Sequence, residues 1–118
     1  MSVRRRSAEP ASLLLKRSAP VFAALGDETR LDLVHALCTR GPLSIVHLTA
    51  GTSVTRQAVT KHLQVLEDAG LVRNSRVGRE SIWQLEPQQL DDARRCLDVI
   101  SAQWDRALGR LKAFVEKS

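Results

Sequence analysis

Aromatic residues make up only 3% of the 118 positions, so any core must be built from Leu, Val and Ala. Cysteine is nearly absent. Cys38 and Cys96 stand alone, and their spacing excludes a disulfide framework. No apolar run approaches the roughly 20 residues of a membrane-spanning helix. The opening stretch, MSVRRRSAEPASLLLKRSAP, begins basic, but its LLL is too short for a signal core, and Lys16 and Arg17 follow at once. The cytoplasm is therefore the expected location. There is no glycine-rich phosphate loop, no paired-carboxylate cleft and no nucleophile beside a base, so the residues lend no support to an enzyme or to a cofactor.

What the chain does have is apolar content of 43% and a formal net charge of +5. The first allows one packed domain, marginal alone and helped by oligomerisation. The second points to a polyanionic partner, nucleic acid before membrane surface. Residues 1 to 10, basic and small, read as a flexible tail, and 11 to 118 as the domain.

The segment from 11 to 25 favours helix but contains Pro20, so it reads as two short helices or one kinked element. Asp27 is an N-cap for a second helix, on which Leu31, Val34 and Cys38 form one stripe with Leu33 and Leu37 beside it. Gly41-Pro42 ends that helix. Ser44 caps a short third helix with Ile45 and Leu48 inward, and GTS at 51 to 53 makes a tight connection.

The fourth helix is the most explicit. Thr55 is its N-cap, and Val54 and Val59 form a hydrophobic staple. Val59, Leu63 and Leu66 recur at spacings of four and three, and Gly70 with Leu71 supplies a Schellman ending. Glu67 and Asp68 dissent, because acids are disfavoured at a helix C-terminus. Two strands follow, at 71 to 76 and 81 to 85, bent at Gly78. From about 87 to 116 runs a long helix. Leu90, Leu97, Trp104 and Leu111 recur every seven residues, and so do Ala93, Ile100, Ala107 and Phe114. That seam calls for a partner helix, and Leu90, Leu97, Ile100, Trp104 and Leu111 are the expected dimer contacts.

A short helix, a small-residue turn and a second amphipathic helix make a helix-turn-helix, and the ribbon behind it makes a wing. The expected fold is mainly α with a small β-hairpin: a winged helix-turn-helix, ordered helix-helix-helix-helix-strand-strand-helix and homodimeric through its last helix. The polar face of the fourth helix then has a purpose. A recognition helix offers its N-terminal turns to the major groove. Arg56 suits guanine O6 and N7, Gln57 adenine N6 and N7, Thr60 a thymine methyl or a phosphate, and Lys61 phosphate or guanine. Thr55 and His62 flank them. Arg73, Arg76 and Arg79 load the wing, and the last two flank its tip, suited to phosphate or a narrow minor groove. A two-fold dimer would set two such helices about 34 Å apart on a near-palindromic duplex.

FAALGDETRLDLVHAL, TRQAVTKHLQVLEDAGLV and RVGRESIWQL together resemble the ArsR/SmtB family of dimeric winged-helix repressors, from about residue 18 to the C-terminus. The resemblance implies a dimer interface from the first and last helices. It also implies operator occlusion relieved by an inducer. Metal-sensing members carry a cysteine pair in a segment resembling ELCVCDL. Here the stretch is PLSIVHL, with Ser44 and Val46 at the cysteine positions. His35, His47 and His62 have no metal-ligand spacing, and the last helix has no histidine, so no metal is expected. The terminal QWDRALGRLKAFVE resembles a metal-independent subgroup with an unassigned small-molecule effector. Two alternatives stand beside this reading. Some members sense persulfides or oxidants through cysteines on the second and last helices, where Cys38 and Cys96 lie, although Cys38 reads as a core residue and Cys96 has Arg94 and Arg95 beside it. The other is a winged-helix module for protein or RNA.

Overall fold

A computed structural model of the chain describes residues 9 to 117. Of the tail expected at 1 to 10, all but Glu9 and Pro10 lies outside the described residues. The elements are α1 (Ala11–Leu25), α2 (Glu28–Arg40), β1 (Leu43–Ser44), α3 (Ile45–Ala50), α4 (Arg56–Asp68), β2 (Val72–Val77), β3 (Glu80–Leu85) and α5 (Pro87–Lys117).

The local signals act where they were read. Asp27 accepts from the Arg30 amide at 3.0 Å, Ser44 from His47 at 3.3 Å and Thr55 from Ala58 at 3.1 Å. Each caps an otherwise unpaired first-turn N–H. At the far end of α4, Leu71 donates to the Leu66 carbonyl and Gly70 to that of Glu67, the paired bonds of a Schellman ending. Gly70 takes φ +78°, and a Cβ there would meet Gln89 Cγ at 2.9 Å. Both facts require glycine. Gly78, at φ +64°, starts the two-residue turn between Val77 and Glu80, where a side chain would strain the backbone.

Pro20 neither splits nor ends α1, which runs unbroken from Ala11 to Leu25. Pro20 itself is exposed, so the carbonyl it leaves unpaired faces water, while Leu14, Ser18 and Val21 stay on one buried stripe. The sheet has three antiparallel strands in the order β1-β3-β2, not two. β1 pairs Leu43 with Trp83 and Ser44 with Ile82, which moors the start of α3 to the wing. Two residues are too few to show a strand period.

The core joins Val21 and Ala24 to Leu33, Val34 and Leu37, Ile45 and Leu48, Val59, Leu63 and Leu66, and Leu71, Val72 and Trp83. On α2 the buried stripe is therefore Leu33, Val34 and Leu37. Leu31 is 51% exposed, and Cys38 lies at the surface. Two overlapping stripes share Val34, and the contacts with α4 and β3 select the other one.

α5 has 31 residues, about 46 Å of helix. Its first third packs on α1 and buries Asp92, Ala93 and Cys96. Asp92 accepts from Arg17 of α1 at 2.9 Å and has Arg95 at 3.5 Å. A buried carboxylate is tolerable when paired in this way. The heptad seam is continuous in sequence but divides in space. Leu90 and Ala93 pack on the chain's own core, whereas Leu97, Ile100, Trp104, Leu111 and Phe114 remain exposed. Leu90 is half-buried against its own domain, and the exposed apolar side chains begin at Leu97. All residues from 101 to 117 are exposed. The radius of gyration is 18.3 Å, against about 13.5 Å for a compact chain of this length.

Candidate nucleic-acid interface

α4 buries Val59, Leu63 and Leu66 and turns Arg56, Gln57, Thr60, Lys61 and Gln64 outward. The 3.6-residue period dictates this division, and α1, α2, α3 and β2 pack around the buried side. Thr55, at the cap, is exposed. The Thr60 hydroxyl donates to the Arg56 carbonyl at 2.9 Å, so it is satisfied within the helix. Gln64 donates to Glu67 at 3.2 Å and to Asp68 at 3.1 Å, which holds the two acids together at the C-terminal end. Negative charge is thereby kept several residues from the helix N-terminus, whose free N–H groups and dipole favour an anion.

The ribbon comes alongside. Arg73 sits at its base, 3.8 Å from Glu86. Arg76 and Arg79 lie at the tip and are exposed. With Arg56, Ser44 and Ser81 they line a cleft of about 210 Å³ between wing and recognition helix, and Glu80 is the one acid on its wall. A second hollow of about 240 Å³ continues along α4 past Arg56, Thr60 and Gln64 to Asn74. Arg56 borders both. Among the described residues no ion pair engages Arg56, Lys61, Arg76 or Arg79. Three guanidinium groups, those of Arg56, Arg76 and Arg79, therefore face solvent around the cleft, and Lys61 is exposed on the same helix as Arg56.

His62, expected to flank this face, is the exception. Its Nδ1 lies 3.2 Å from Arg30 Nη1 and 3.8 Å from Asp27 Oδ2, so it is engaged inside the protein. The Arg30 amide, donating to Asp27, holds that carboxyl below its ordinary value of 3.8, and the Arg30 charge acts in the same direction. Arg30 was missed in the sequence, since nothing in its spacing singles it out.

Among the described residues no group of three or more His, Cys, Asp or Glu is placed to hold a metal ion. Ser44, at a position where metal-sensing members carry cysteine, instead caps α3 and bonds His47 Nδ1 at 2.7 Å. Cys38, expected in the core, lies instead at the surface. Cys96 is 1% exposed, shut between α5 and its neighbours. Among the described residues no helix is long and apolar enough to cross a membrane.

Comparison with known proteins agrees with this geometry. A helix-turn-helix domain family model matches residues 25–74. The arsenical resistance operon repressor of Bacillus subtilis is 32% identical over 83 residues, covering 70% of this chain and 79% of that protein. An HTH-type transcriptional regulator of Mycobacterium tuberculosis is 40% identical over 87 residues, covering 74% and 78%. The solved structure of an ArsR-like transcriptional regulator from Rhodococcus sp. RHA1 superposes with a TM-score of 0.70 at 39% identity, covering 85% of this chain and 93% of that one. With the capped recognition helix, the ribbon and these likenesses together, the chain belongs to the ArsR family of winged helix-turn-helix transcriptional regulators.

Proposed function

We propose that the protein is a homodimeric repressor that binds a near-palindromic operator and is released by a signal other than a metal ion. The observation that carries the reading is the cleft lined by Arg56, Arg76 and Arg79, all exposed and outside any ion pair among the described residues, beside a capped helix N-terminus on whose helix Lys61 is also exposed. In this reading Arg56 and Gln57 address base edges from α4, Thr60 serves a thymine methyl or a phosphate, Lys61 phosphate or guanine, Thr55 flanks them, and the wing arginines grip the backbone. Leu97, Ile100, Trp104 and Leu111 of α5 close the dimer, because these apolar side chains are exposed in the single chain. Repression is supported by the B. subtilis relative, itself a repressor. The non-metal signal is supported by Ser44 and Val46, which replace the cysteine pair and offer no soft ligand.

Selection of duplexes from a random pool by the purified protein, followed by footprinting, tests the whole reading. Paired half-sites are expected. A monomer, or a dimer without preference for any duplex, would favour a protein or RNA partner instead. Arg56→Ala should cost roughly 1–3 kcal/mol on the selected duplex and relax specificity at one position. Equal losses on unrelated DNA would assign Arg56 to phosphate. Arg79→Ala should weaken all sequences alike and flatten the slope of log affinity against log salt by about one. An unchanged slope would mean that the wing tip stays free of the duplex.

A further inference from the structure

Apolar contacts seat α4 through Val59, Leu63 and Leu66. Such contacts set depth well but direction poorly, because burial is non-directional. Base recognition needs direction. A rotation of about 10° around the helix axis moves the tip of an arginine side chain by about 1.5 Å. That is enough to lose a bidentate hydrogen bond.

One polar link on the buried flank of α4 supplies that direction. Arg30 Nη1 lies 3.2 Å from Nδ1 of His62. Arginine can only donate, so Nδ1 is the acceptor and the ring's proton sits on Nε2. Arg30 is anchored twice more. Its Nε donates to the Ala24 carbonyl at the end of α1, and its amide donates to Asp27. One guanidinium thus ties the end of α1 and the first turn of α2 to the middle of α4. His62 is the only α4 side chain with a recorded hydrogen bond to another element among the described residues.

We infer that His62 is a positioning residue for base recognition: held by Arg30, it sets the rotation of α4 so that Arg56 and Gln57 meet base edges in register. It does so without touching DNA. The inference rests on the DNA-binding reading above. Binding to random DNA, which depends on charge near phosphate, tolerates a small rotation, whereas base readout does not. His62 therefore governs preference among sequences.

The experiment compares H62N, H62Q and H62L with wild type on two probes: the duplex best selected by the wild-type protein, and a scrambled duplex of equal length and composition. Asparagine puts an amide oxygen where Nδ1 stood, and glutamine places it one atom further out. H62N should stay within about threefold of wild type, while H62Q and H62L should lose about tenfold on the selected duplex and little on the scrambled one, the scale of one hydrogen bond to a charged group. Unfolding midpoints are taken alongside. If H62L melts early, the contrast between the two amides still decides the matter. Wild-type behaviour in all variants, equal losses on both probes, or an asparagine variant as poor as leucine would overturn the inference. These results differ from failure of the DNA-binding reading, in which the wild-type protein itself prefers no duplex.

Discussion

Trp104→Ala is expected to turn a stable dimer into a protein that is monomeric at nanomolar concentration. In the single chain Trp104 is 64% exposed, on a stretch of α5 whose residues from 101 to 117 are all exposed. Covering about 120 Å² of indole by a partner helix contributes roughly 3 kcal/mol. A two-fold interface counts the loss twice, so the dissociation constant should rise by on the order of 10⁴. Sedimentation velocity from nanomolar to micromolar concentration measures the change. Operator binding should weaken with it, because an isolated monomer engages a single half-site. Intact dimers at nanomolar concentration would place Trp104 off the seam.

Leu63→Ala should have the largest effect within one chain. Leu63 is fully buried, in the middle of the recognition helix. Truncating it removes transfer free energy and leaves a cavity, at a cost of about 2–5 kcal/mol. Against a total stability of roughly 5–15 kcal/mol, this is a large fraction. The unfolding midpoint should fall by roughly 10 °C or more. DNA binding at the growth temperature should fall too, although Leu63 cannot touch a base. Val65, on the same helix but 41% exposed, is the control. Val65→Ala should shift stability by no more than about 0.5 kcal/mol. Equal effects of the two substitutions would mean that α4 is not seated as described.

The two predictions draw on different kinds of legibility. The frame of α4 could be read from the sequence because its caps and its period are local, whereas the contact of His62 with Arg30 could not. The Thr55 cap, the Val59, Leu63 and Leu66 period and the Gly70 ending depend on residues a few positions apart. The outward side chains follow from the same period, and so does the candidate DNA face. α5 shows the limit of that logic. Its heptad repeat announces a buried seam but does not say what buries each residue. Leu90 and Trp104 occupy equivalent positions, yet Leu90 packs on its own core and Trp104 does not. The cysteines make the same point. Cys38 sits one register from the buried stripe of α2, and whether it is covered depends on which side α4 and β3 approach.

By itself, then, the sequence determined the order of the elements, their caps and turns, and the charged side of the recognition helix. These are properties of neighbouring residues, set by backbone geometry and by the helical period. Only the tertiary structure decided that Leu33 and Leu37 rather than Leu31 and Cys38 lie inside, that a two-residue strand joins the wing, that Asp92 is buried between arginines, and that His62 faces Arg30 rather than solvent. Each of those depends on residues far apart in the chain, where directional bonds and mutual packing choose among arrangements that local preference leaves nearly equal in energy.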